Sequence, residues 1–318
     1  MQTPRRVRDL GVTVGTLATG PLNAITDVPG VRVGQTTIST DDLHTGVTAI
    51  VPDGYADGLP AAVAVGNGYG KLVGSTQVDE LGVIETPVLL TGTLSVFRVA
   101  DALLTWLLDR DPNATSLNPV VGETNDGYLS DIRRRPIMPE HVHAALDSAS
   151  FELPAEGCVG AGTGTSALGF KAGIGTASRA VDPGTIGVLV QANFSGTLTV
   201  LGTPIMAQPL DADGNSCMIV VATDLPLDAR QLGRVARRAV FAMGRVGSDF
   251  APGSGDYAIA FTTNRAPAFA DRDLRSAFQA TTESVEEALL NSLTMATTTT
   301  GHQGRTAKAV PHDLIRLK

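Results

Sequence analysis

The 318-residue chain is poor in aromatics, at 4%, and has only two cysteines, Cys158 and Cys217. Two cysteines could make one disulfide at most, so no disulfide framework is indicated and a reducing compartment fits. Clustered cations are scarce. Arg133-Arg134-Arg135 and a scatter at residues 5–8 stand alone in a chain of net charge −8. Nucleic-acid binding rests on phosphate neutralisation by such clusters, so no nucleic-acid partner is expected. No apolar run approaches the ~20 residues that cross a bilayer, and no membrane partner is expected. The basic N-terminal residues are not followed by an uninterrupted apolar stretch, so no secretory signal is visible and a cytoplasmic location is expected.

Nucleotide and metal signatures are missing as well. The glycine block Gly157-Cys158-Val159-Gly160-Ala161-Gly162-Thr163-Gly164 is not followed by Gly-Lys-[Ser/Thr], and Gly162-x-Gly164 has Ala167 where a dinucleotide loop needs its third glycine. Gly66-Asn67-Gly68-Tyr69-Gly70-Lys71 fails the same test. The five histidines, His44, His141, His143, His302 and His312, are scattered. His141 and His143 are two apart on an expected helix, so they point to different faces and cannot share a metal. No metal and no organic cofactor is expected. No Gly-x-Ser-x-Gly elbow is present either.

Glycine is abundant instead: 35 Gly and 18 Pro in a chain that is 43% apolar. That composition predicts a folded protein with many tight turns and a large core, built as one big α/β domain or two smaller ones. Apolar and β-branched runs predict strands at 31–38, 46–51, 61–65, 87–91, 118–123, 185–192, 197–200, 216–223 and 257–263. Three- and four-residue spacing predicts helices at 76–81, 94–109, 140–148, 228–245 and 277–295, with Thr93 as N-cap of the second. Residues 1–30 read as loops, 66–71 and 157–176 as glycine-rich turns, and 211–215 as a polar linker. Strands come in groups and helices follow them, an order that favours an α+β layered sandwich over a regular βαβ array.

Candidate chemistry gathers at strand ends. Ser216 opens the apolar run Cys217-Met218-Ile219-Val220-Val221-Ala222 after the turn Asp213-Gly214-Asn215. On local chemistry alone a turn serine is the simpler reading. Were the Asn215-Ser216 bond cut, Ser216 would carry both a hydroxyl and an α-amine, whose reference pKa is near 8. Gly253-Ser254-Gly255-Asp256-Tyr257 places a second glycine-flanked serine two residues from a carboxylate, again at a strand start. A serine hydroxyl needs a base to become a nucleophile, and a hydroxyl backed by a carboxylate can relay that proton. Asn193 closes the strand at 185–192, where its amide can donate to an oxyanion. Glu123 ends the strand at 118–123. It reads as an anchor for a cation or as a solvated carboxylate.

Taken together, five segments resemble one family. They are Gly20-Pro21-Leu22-Asn23-Ala24-Ile25-Thr26-Asp27-Val28-Pro29-Gly30-Val31, Val121-Gly122-Glu123-Thr124-Asn125-Asp126-Gly127, Gln191-Ala192-Asn193-Phe194, Asp213-Gly214-Asn215-Ser216 with its strand, and Gly253-Ser254-Gly255-Asp256-Tyr257. The chain is similar, over about residues 7–313, to the DmpA/BapA family of L-aminopeptidase/D-Ala-esterase-amidases and β-peptidyl aminopeptidases. The resemblance implies a precursor that cuts itself between Asn215 and Ser216, giving an α chain 1–215 and a β chain 216–318 within one domain. It implies Ser216 as nucleophile and new N-terminus, assisted by Ser254 and Asp256. Asn193 would be the oxyanion donor, and Glu123 the acid that receives the substrate's ammonium. The implied fold is a four-layer αββα sandwich, like the N-terminal-nucleophile hydrolases and shared with the ornithine acetyltransferases. The implied assembly is a homo-oligomer of αβ units, a tetramer above all, acting on short peptides or aminoacyl amides.

Two other readings remain open at this point. One is an amino-acid N-acyltransferase of the same fold, against which Ser216 speaks, since those relatives use threonine. The other is an uncut, non-catalytic paralogue. Among α-, β- and D-aminoacyl substrates the residues do not choose.

Overall fold

The computed structural model describes residues 2–207 and 215–315. Most of the expected linker at 211–215, and the side chain of Asn215, lie outside the described residues. In chain order the strands are β1 (Val31–Ser39), β2 (His44–Pro52), β3 (Leu59–Gly68), β4 (Leu72–Val73), β5 (Val83–Ile84), β6 (Val88–Gly92) and β7 (Val120–Thr124). A ribbon of β8 (Ser166–Ala167) and β9 (Phe170–Lys171) precedes the long β10 (Ile174–Val181) and β11 (Gly184–Asn193). A second ribbon, β12 (Thr199–Val200) and β13 (Thr203–Pro204), comes before β14 (Asn215–Thr223) and β15 (Ser254–Thr262). The helices are α1 (Ser75–Leu81), α2 (Val96–Leu108), α3 (Pro139–Asp147), α4 (Ala229–Met243) and α5 (Arg275–Thr294).

The strands form two main sheets, ordered β1-β2-β6-β7-β4 and β10-β11-β14-β15-β3-β5. Each mixes antiparallel neighbours with one parallel pair, β6 with β7 and β14 with β15. Side-chain alternation sends each strand into two different clusters. In β14, Met218, Val220 and Ala222 pack with Val33, Ile50, Leu90 and Val120 of the five-stranded sheet. Cys217, Ile219 and Val221 pack with Leu232, Val235, Ala239, Leu289 and Leu293 of α4 and α5. On the five-stranded sheet, Val47, Ala49, Leu89 and Val121 pack with Val99, Leu103, Trp106 and Val142 of α2 and α3. Burial on both faces explains why 217–222 is an unbroken apolar run rather than an alternating one.

The N-terminal segment is tied down by charge. Arg179 is fully buried on β10 and pairs with Glu283 at 3.1 Å and Glu287 at 2.6 Å, both on α5. Glu287 also pairs with Arg8 at 2.6 Å and accepts from Asn23 Nδ2 at 2.6 Å. A buried carboxylate is tolerated only when paired and hydrogen-bonded, and Glu287 is both.

Several expectations need correction. The strand β10 starts inside the segment that reads as glycine turns, at Ile174, and runs on to Val181, where no strand is expected from the sequence. A Cβ on Gly175 would lie 1.9 Å from the carbonyl oxygen of Ala288, so this glycine marks α5 packing against a strand. The polar Thr176, Ser178 and Arg179 are buried there and hide the apolar pattern. The segment 66–71 is loop only in its second half, because β3 runs to Gly68, with a register shift opposite Asp256/Tyr257. Thr93 does not cap α2. The chain enters through a 3-10 turn at Thr93–Ser95, and Ser95 precedes the helix without a side-chain cap bond. Strand β15 begins at Ser254, and the strand expected at 197–200 is only the short Thr199–Val200. Asp228 does cap α4, accepting from Gln231 N–H at 2.7 Å.

Candidate active site

Four neighbouring strands assemble the candidate residues. β11 runs antiparallel to β14 and sets Asn193 opposite Ser216. β14 runs parallel to β15, with Asn215 opposite Ser254, Ser216 opposite Gly255 and Cys217 opposite Asp256. β15 then pairs with β3, with Gly255 opposite Gly68 and Asp256 opposite Asn67. Because β14 and β15 are parallel, two strand starts far apart in sequence lie side by side at one end of the sheet's central strands. The residues are buried: Ser216 is 3% exposed, Asn193 5%, Ser254 1%, Asp256 0% and Glu123 2%. The solvated reading of Glu123 is therefore set aside.

Alternation separates the residues by face. Ser216 shares its face with Met218, whose Cε occupies the space a Cβ on Gly122 of β7 would take. Asn193, directly opposite, shares that face. Asp256 shares the other face with Cys217, its partner in the β14–β15 register. Ser254 Oγ donates to Asp256 Oδ1 at 2.7 Å. Asp256 Oδ2 is buried with no hydrogen-bond partner among the described residues. Burial pushes the Asp256 carboxyl up to about 6, helped by Asp249 and opposed by the bonds from Ser254 and Cys217. Burial, and then Asp256, push the Cys217 thiol well above its ordinary value. The Ser254–Asp256 pair thus flanks the main chain at the 215–216 bond rather than the face that carries the Ser216 side chain.

Asn193 is oriented by its neighbour across the loop. Its Oδ1 accepts from Ser166 N–H at 3.1 Å, which makes the NH2 the opposite, donating end of that amide. Glu123 lies next to the last residue of β7. Its Oε1 accepts from Lys71 N–H at 3.0 Å and pairs with Lys71 Nζ at 3.1 Å. Its Oε2 is buried with no hydrogen-bond partner among the described residues. Gly70 connects this carboxylate with the strand starts. A Cβ there would lie 3.2 Å from both Glu123 Oε1 and Gly255 Cα, and 3.1 Å from Tyr257 Cε2. The glycine therefore lets Glu123 approach the β15 residue that pairs with Ser216.

Sequence reasoning missed three participants. Ser166 carried no signal, since its contribution is a backbone N–H. Lys71 was seen only as part of a glycine loop. Asp126 closes the segment that contains Glu123 and is buried, with a carboxyl pushed up to about 7 chiefly by burial. Among the described residues no three His, Cys, Asp or Glu side chains converge on a common point as a metal site. No helix among them is long and apolar enough to cross a membrane. Both cysteines are free.

Comparison with known proteins follows this geometry. The model of peptidase family S58 matches residues 23–307. The β-peptidyl aminopeptidase BapA of Sphingosinicella xenopeptidilytica is 41% identical, over 98% of this chain and 90% of that one. The crystal structure of the PH0078 protein from Pyrococcus horikoshii OT3 superimposes with a TM-score of 0.93 at 40% identity, covering 98% of each chain. The L-aminopeptidase D-Ala-esterase/amidase of Ochrobactrum anthropi, described as a variant of the Ntn hydrolase fold, gives 0.91 at 36% identity, over 98% of this chain and 97% of that one. Mixed sheets, buried strand-end serines and near-complete coverage agree: the chain belongs to peptidase family S58.

Proposed function

We propose that this protein is a self-processing serine aminopeptidase that releases N-terminal residues from short peptides, amides and esters. The observation that carries the reading is the register that sets Ser216 between Asn193 on one side and the Ser254-bearing strand on the other. The Ser216 hydroxyl first attacks the Asn215 carbonyl carbon. The chain shifts from nitrogen to oxygen, and water splits the resulting ester. The products are an α chain 1–215, a β chain 216–318 and an α-amine on Ser216.

In turnover that amine accepts the hydroxyl proton as Ser216 attacks the substrate carbonyl. Ser254 and Asp256, which flank the main-chain nitrogen, orient the amine and compensate its charge. The Asn193 NH2 donates to the tetrahedral oxyanion, and Glu123 receives the substrate's ammonium. The amide C–N bond breaks, its nitrogen takes the proton from the amine, and water frees the acyl group. Every step uses groups of the chain itself and water. The 41%-identical relative is a β-peptidyl aminopeptidase, and β-aminoacyl groups are therefore included among the substrates. The fold reading is a four-layer αββα sandwich in one domain, supported by three separate apolar clusters. The assembly is a tetramer of αβ units, testable by light scattering.

Denaturing electrophoresis and intact mass test the core of the proposal. Wild-type protein should give two fragments that sum to the 32.9 kDa chain plus water. Ser216→Ala should stay one chain and show no turnover of aminoacyl p-nitroanilides. Full activity from an uncut wild-type chain would end the proposal.

A further inference from the structure

The Lys71–Glu123 pair has a second half that the mechanism does not use. Glu123 is buried, and both Lys71 groups, N–H and Nζ, fall on the same oxygen, Oε1. The other oxygen, Oε2, has no hydrogen-bond partner among the described residues although it is buried. That oxygen is where an incoming ammonium would dock. The Lys71 side chain is 38% exposed, so its ammonium stands at the mouth of the site rather than beneath it. An ammonium has three donors, and the bond to Oε1 uses one. Among the described residues no other carboxylate pairs with Lys71. A ligand whose ammonium reaches Oε2 therefore shares the one carboxylate of Glu123 with a second cation, the Lys71 ammonium already paired to Oε1. The chemistry that fits both is a zwitterionic head with amine and carboxylate on one carbon. Its charges run antiparallel to the protein's own pair.

We propose that Lys71 and Glu123 form a clamp for such a head, and that the enzyme takes N-terminal β-aspartyl groups as substrates. This rests on the reading of Glu123 as the ammonium acceptor and on the acceptance of β-aminoacyl groups. A β-aspartyl residue is a β-aminoacyl residue: its amine stands on the second carbon from the scissile carbonyl, and a carboxylate replaces the usual side chain on that carbon. Ser216 attacks the β-carbonyl, the amide C–N bond breaks, and the leaving nitrogen takes the proton. Water then splits the ester to give free aspartate and the shortened peptide. An N-terminal α-amide of an ordinary apolar residue offers nothing to the free donors of Lys71.

Kinetics on matched p-nitroanilides test the proposal. β-Aspartyl and β-homoalanyl p-nitroanilide differ only in carboxylate against methyl. The wild-type enzyme should cleave both. Lys71→Met should lower kcat/KM for the β-aspartyl compound by about tenfold or more relative to the β-homoalanyl one, the usual worth of a charged hydrogen bond. Lys71→Arg should restore most of it. Product inhibition of the wild type needs no variant: aspartate should compete more strongly than 3-aminobutyrate. Cleavage of the β-homoalanyl compound alone, equal losses on both compounds in Lys71→Met, or equal inhibition by the two products overturns the clamp and leaves the aminopeptidase reading standing. If neither β-aminoacyl compound is cleaved while an L-aminoacyl p-nitroanilide is, β-aminoacyl acceptance fails and the clamp falls with it. If none of the three is cleaved, the aminopeptidase reading itself fails.

Discussion

Replacing Asp256 by asparagine separates electrostatics from geometry at the centre of the site. The side chain is fully buried, and its carboxyl is pushed up to about 6 chiefly by burial. In the unfolded chain the same carboxyl titrates near its ordinary 3.8. Between those two values the folded state holds a proton that the unfolded state has released. Stability therefore falls as pH rises through that window and levels off above it. At 1.36 kcal/mol per pH unit the loss is at most about 3 kcal/mol in size, less whatever solvent screening reaches the carboxyl. Asparagine keeps the shape, and its Oδ1 can still accept from Ser254 Oγ, but it does not titrate. The assay is urea unfolding between pH 4 and 8 of Ser216→Ala and of Ser216→Ala with Asp256→Asn. The shared background keeps each protein a single chain, and the other titrating groups cancel in the comparison. The double variant should be level with or below the single one at pH 4, then gain up to about 3 kcal/mol on it by pH 7. A stability difference that stays flat from pH 4 to 8 would refute the argument that burial sets this carboxyl.

Two further outcomes are expected. Asn193→Ala should lower kcat about 10²–10³-fold with KM little changed, since an oxyanion donor acts only in the transition state. A loss confined to KM would assign Asn193 to substrate binding. Gly175→Ala should cost about 3 kcal/mol in urea unfolding, because its Cβ would lie 1.9 Å from a backbone carbonyl of α5 that cannot step aside. An unchanged midpoint would show that α5 can shift away from β10.

The candidate residues were legible in the sequence wherever they sat in a contiguous motif. Ser216, Ser254, Asp256, Asn193 and Glu123 all stand at strand ends, and strand ends announce themselves by a turn next to an apolar run. Composition and periodicity likewise indicated layered α and β structure and most element positions. These are local properties, carried by residues within a few positions of one another. What only the tertiary structure decided depends on residues far apart. β10 is not legible as a strand because its glycine answers to helix α5 more than a hundred positions away. Lys71 and Ser166 carry no local signal because one acts through an ion pair set by the pairing of β4 with β7, fifty positions apart in sequence, and the other through a backbone N–H that any residue possesses. The positions of the two serines part for the same reason. In sequence Ser254-Asp256 looks like a base for the Ser216 hydroxyl. The register of β14 against β15 instead sets the pair beside the main-chain nitrogen, because a side chain's face is decided by strand pairing and never by its own neighbours in the chain.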